Sequence, residues 1–203
     1  MKLDQLPVNW FDVAALIILA VGVQRGRKLG MSEELIPVIK WLGIVFGCAF
    51  AYEPLGKIIF DNTVFSMLSC YLMAYFGTAL GIAILVSIIK KLLGGKLVGS
   101  DVFGSGEYYL GMVAGMTRYA CMLMAALAML NARSYSAADI KAAIAVQKQN
   151  FGSDFFPTIY SVQAQVFDKS FAGPWIKKGA GTLLIKPTAE VAREMKRKDI
   201  DYQ

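Results

Sequence analysis

The chain has 203 residues, of which 56% are hydrophobic and only 18% charged, and its mean hydropathy is +0.50. An ordinary soluble globule, with about 25% charged residues, is excluded. So are disorder of the whole chain, by the abundance of aromatic and branched apolar residues, and histidine-based zinc or acid–base chemistry, by the absence of any histidine.

Four segments reach or approach the ~20 mostly apolar residues that a bilayer crossing needs. In chain order they are Val8 to Gln24 with Asp12, Leu35 to Tyr52 with Pro37 and Lys40, Val64 to Ile89 without a charge, and Tyr108 to Leu130 with Arg118. Pro37 is expected to mark a helix start. No cleavable signal is expected ahead of the first segment, because no small-residue cleavage site follows it. Trp10, Tyr52, Tyr108 and Tyr109 stand at segment ends, where lipid headgroups are expected. Arg25, Arg27 and Lys28 follow the first segment, and Lys90, Lys91 and Lys96 follow the third. The intervening loop has only Lys57 and the start of the chain only Lys2. This bias places the first and third loops in the cytoplasm and both termini outside it. The net charge of +6 is accounted for by these loop-sized clusters, and nucleic acid is not expected as a partner.

From residue 132 onward the chain is polar, without a span-length apolar run. Ser136 and Asp139 form a capping-box pattern that opens a helix running to about Gln149. Phe155, Ile159, Val162 and Val166 recur at helical spacing and predict a second, amphipathic helix. It either packs on the tail's own core or lies flat on the membrane. Arg193 to Gln203 reads as a frayed or disordered end. The expected architecture is therefore all-α: a four-helix transmembrane domain over residues 1–131 and an α-helical extramembrane tail over 132–203.

Small residues mark the helix faces. Glycines recur four apart at Gly22, Gly26 and Gly30, at Gly43 and Gly47, at Gly77 and Gly81, and at Gly111 and Gly115. In lipid such stripes let helix backbones approach closely, within a bundle or between subunits. The embedded charges share these faces: Asp12 with Gly22 and Gly26, Lys40 with Gly43 and Gly47, and Glu107 and Arg118 with Gly111 and Gly115. All three intramembrane charges, Asp12, Lys40 and Arg118, are thus expected to point into the protein. Asp12 and Lys40 are near enough to segment ends to reach headgroups instead. Arg118 lies ~15 Å into its segment and needs a buried partner, a lipid phosphate or a water-filled cavity. Asp12, the only acid inside a segment as drawn, is the expected partner.

Catalytic and metal signatures are missing. There is no Gly-x-Ser-x-Gly elbow, Walker loop or Cys-x-x-Cys motif. Cys48, Cys70 and Cys121 each sit in an apolar run and read as buried hydrophobes. No enzyme activity, cofactor or metal is expected.

Three marks together resemble a known family. They are Asn9-Trp10-Phe11-Asp12 at the first segment, Arg25-Gly26-Arg27-Lys28-Leu29-Gly30 followed by Glu33 or Glu34, and Glu107 with Gly111, Gly115 and Arg118 at the fourth. This combination resembles the CvpA, or colicin V production, family of bacterial inner-membrane proteins over residues 8 to 130. The family more often has aspartate where Glu107 stands and glycine where Tyr119 stands, and the tail is longer than the family core. The resemblance implies four membrane helices and a role in colicin V production or export and in envelope tolerance of bile-salt-like compounds. Two roles fit: a small oligomeric permease or pore, with Arg118 and Asp12 in its polar interior, or a non-transporting scaffold subunit of an envelope complex. The expected partners are lipid and either further copies of the chain or other envelope proteins.

Overall fold

The computed structural model describes residues 9–93, 104–152 and 157–189. Helix α1 runs from Trp10 to Asn62, α2 from Met67 to Leu93 and α3 from Glu107 to Asn131 after a short 3-10 turn. These are three helices long and apolar enough to cross a membrane. The third and fourth expected segments correspond to α2 and α3. The first two are joined in α1, because the intervening stretch Arg25 to Glu34 is itself helical except at Gly30. There the backbone takes φ 75° and ψ 173°, a conformation that glycine adopts without steric cost. Pro37 is not a helix start: helical geometry resumes directly after Gly30, and Pro37 lies inside the helix.

The two segments of α1 meet α3 in opposite orders. Gly22 faces Gly115 and Tyr119, Gly26 faces Gly111 and Gly115, and Gly30 faces Glu107. Beyond the break, Glu34 meets Arg118. The second segment then runs against α2, with Gly47 beside Ile82, the Cys48 thiol donating to the Tyr75 carbonyl, and Tyr52 edge-on to Tyr71 at 5.4 Å. The glycines of α2 behave differently: Gly77 and Gly81 are exposed, with nothing within 4 Å of a β-carbon placed there.

The tail carries α4 (Ala137–Phe151), α5 (Ile159–Phe167), α6 (Ala172–Ala180) and a short parallel pair, β1 (Arg133–Ser134) with β2 (Thr188–Ala189). The expected capping box is present: the Asp139 N–H donates to the Ser136 hydroxyl, and the Ser136 N–H and hydroxyl donate to the Asp139 carboxylate. At the other end Gly152, at φ 66°, closes α4. In α5, Val166 and Phe167 are buried and Val162 packs against the same core, while Ile159 at the start of the helix is 65% exposed, so the second half of the helix packs on the core. Phe155, Lys2, Lys96, Val8 and the charged end from Arg193 lie outside the described residues.

One core joins the tail to the long helices: Phe11, Tyr52, Tyr71 and Leu127 cluster with Val166, Phe167, Leu184 and Ile185. Asn131 donates to the Ile185 carbonyl at 2.9 Å, and the Lys186 N–H donates to the Tyr52 hydroxyl. Tyr52 is therefore buried under the tail and is only 3% exposed.

The Asp139 carboxyl is held below its ordinary value of 3.8 by the backbone N–H and hydroxyl of Ser136. A depressed folded-state pKa contributes stability that is present above the unfolded value and lost as pH falls through the folded one. Hydrogen exchange should show the first turn of α4 opening in that acidic window. Ser136→Ala should weaken this helix by ~1 kcal/mol at neutral pH and move the acid-induced opening to higher pH.

Candidate functional site: a buried ion pair beside a helix break

The site is built on the crossing of α1 and α3. A β-carbon on Gly26 would lie 2.9 Å from the Gly115 Cα, and one on Gly111 would lie 2.8 Å from the Gly30 Cα. Only backbone atoms fit there, which is how small residues let helices associate without a hydrophobic drive. At this distance the side chains that flank the glycines are forced together.

Two carboxylates and one guanidinium occupy the flank. The break at Gly30 frees the N–H groups of the next turn, and the Glu107 Oε1 accepts from the Ser32 N–H at 2.6 Å. An acidic side chain at a helix N-terminus also complements the helix dipole. One turn on, Glu34 is 0% exposed, and both its carboxylate oxygens accept from the Arg118 Nη1, at 3.2 and 3.0 Å. The Arg118 side chain is 17% exposed and passes over the Tyr119 ring at 5.9 Å. Among the described residues, Glu107 Oε2 and Arg118 Nε are buried without a hydrogen-bond partner. Buried polar atoms of this kind need explanation in any native structure.

The expected partner of Arg118 is thereby corrected. Asp12 lies at the opposite end of the first α1 segment, where its carboxylate closes a capping box with Asn9 and accepts from the N–H groups of Phe171 and Ala172, each at 3.0 Å. It is a docking point for the tail. Its neighbours serve the same junction: the Asn9 amide donates to the Gln165 carbonyl, the Trp10 indole donates to the Gln165 side chain, and Phe11 is buried in the shared core. Lys40 is half-buried, on the segment whose glycines face Ile82 of α2. Arg25 is exposed, and Arg27 stacks over Tyr108 at 5.0 Å. Glu34 was missed as a partner because the hydropathy boundary of the second segment falls at Leu35, one residue too late. Its signal was present: Glu34 continues the four-residue step of Gly22, Gly26 and Gly30.

This arrangement holds paired charge in a largely desolvated setting; it places no nucleophile next to a base. Among the described residues no cluster of three Cys, Asp or Glu could hold a metal ion. No family model, curated protein or solved structure matches the chain.

Proposed function

We propose that this chain is a four-crossing protein of the bacterial inner membrane, akin to the CvpA family it resembles. It acts in toxin export and envelope tolerance as a small oligomeric permease or pore. The observation that carries the reading is the Glu34–Arg118 pair. A charge inside a membrane helix costs ~2.5–3.5 kcal/mol on insertion scales and marks a solute or ion path by default. The break at Gly30, with the two α1 segments meeting α3 in opposite orders, supports a helical hairpin and hence four crossings. The uncovered Gly77–Gly81 face of α2 supports an oligomer contact.

The reading is tested by reconstituting the purified chain into liposomes and measuring the flux of ions and amphipathic anions. Flux above protein-free vesicles is expected; folded protein with no flux across the panel would overturn it. The expected topology has both termini outside the cytoplasm. An alkaline phosphatase fusion after Gln203 should be active and one at Gly95 inactive, and the reverse pattern contradicts the topology.

A second reading, a non-transporting scaffold subunit, is favoured by one observation. Helix α4 leaves Ile144 and Val146 exposed at 40% and 55%, uncovered among the described residues. Crosslinking in native membranes should then recover a stoichiometric envelope protein, and recovery of the homo-oligomer alone would eliminate this role.

A further inference from the structure

We infer that α6 is a membrane-surface helix that docks Phe171 and Trp175 into the headgroup–acyl boundary of an anionic phospholipid layer, in line with Trp10. The inference rests on the membrane reading above. Its first support is placement. The backbone N–H groups of Phe171 and Ala172 are bound by Asp12 in the first turn of α1, so α6 begins where α1 begins. Along that same end of α1, Trp10, Val13, Leu16 and Ile17 are exposed at 49%, 51%, 69% and 55%, an apolar face that in this reading meets lipid. The start of α6 is thus fixed at the edge of a lipid-facing surface.

The second support is the division of faces on α6. One side is spent inward: Gly173 is buried, so close that a β-carbon would lie 2.8 Å from the Phe167 Cα, and Ile176 packs on the core. The other side carries Phe171 and Trp175, four residues apart on one stripe and exposed at 56% and 68%. Tryptophan, whose ring has a polar N–H edge, is placed at headgroup level in membrane proteins, and Phe171 adds apolar surface beside it.

Charge is the third support. Lys169 is exposed in the turn ahead of α6, Lys178 is exposed where the stripe of Phe171 and Trp175 continues three residues on, and Lys177 is tied to Asp168 at 3.0 Å. A short helix with aromatics on one face and lysines beside them matches interfacial binding to anionic lipid. A protein partner for the same face would have to cover lysines and aromatics immediately beside the bilayer edge.

The test uses the full chain with Trp10→Phe and Trp41→Phe, leaving Trp175 as its only indole, in vesicles of phosphatidylcholine and phosphatidylglycerol. Brominated lipids carry the quencher either near the headgroup or near the chain end. The shallow label should quench Trp175 at least ~2-fold more than the deep one, with blue-shifted emission. Adding Lys169→Glu and Lys178→Glu should reduce the shallow quenching by about half. The difference between the native chain and Trp175→Phe reports the same quantity with Trp10 and Trp41 in place, should the double replacement disturb folding. Protein that floats with the vesicles while Trp175 emits as in water, or is quenched most by the deep label, overturns the inference and leaves the membrane reading standing. Protein that does not float with the vesicles overturns both.

Discussion

Arg118→Ala is expected to destabilise the folded chain by about 3–5 kcal/mol, because it leaves Glu34 charged and alone at a site without solvent. The loss arises from the stranded carboxylate more than from the lost attraction. Arg118→Lys should be milder, since it keeps the charge and both oxygens of Glu34 accept from the single Nη1 of Arg118, a contact that one ammonium can also make. The double replacement Glu34→Leu with Arg118→Met should recover most of the stability, as apolar residues of similar size often do at buried ion pairs. A double-mutant cycle read by unfolding in detergent checks this: strong coupling is expected between positions 34 and 118. Asp12→Asn with Arg118→Ala should be additive, because Asp12 serves the tail junction. Additivity between positions 34 and 118 would contradict the ion pair.

Gly111→Ala is the second large effect. A single methyl group there meets the Gly30 Cα and carbonyl carbon at 2.8 Å, and these are backbone atoms that cannot rotate away. The helices must separate, so the cost should exceed the usual ~1–3 kcal/mol of overpacking and reach roughly 3 kcal/mol or more. The same substitution at Gly77, where nothing lies within 4 Å, should be neutral or stabilising by ~0.5–1 kcal/mol, as alanine favours a helix interior. Comparing thermal unfolding of the two variants in one detergent separates packing at the crossing from a general intolerance of larger residues. Equal melting temperatures would contradict the crossing. If Gly77 instead contacts a second copy, Gly77→Leu should weaken crosslinked oligomers without lowering the stability of the single chain.

The long apolar helices were legible because hydropathy and length report them directly, and the glycine faces because their four-residue step survives in the sequence, but not which faces meet: Gly26 meets Gly111 and Gly115, while Gly77 and Gly81 meet nothing within 4 Å. The Ser136 capping box was legible for a similar reason: its chemistry is local. What hydropathy could not show was pairing across the chain. Glu34 and Arg118 lie 84 positions apart, and a charge that neutralises another lowers the apparent hydropathy of the very segment that buries it. The segment boundary at Leu35 excluded the partner for that reason. Asp12 misled in the opposite way, counted as embedded when it closes a helix start and ties down the tail. Helix α6 was not anticipated, because nine residues with Gly, Pro and Lys give a weak periodic signal until Asp12 fixes one end.

Flux distinguishes a Glu34–Arg118 pair that lies on a path for solutes from one that is only a structural clasp. The most direct measurement is flux through proteoliposomes containing the Glu34→Leu/Arg118→Met chain, after its unfolding temperature has been matched to the native protein. The expected result is a folded, membrane-inserted chain whose flux falls to the level of empty vesicles. Native flux from that folded double variant would contradict it.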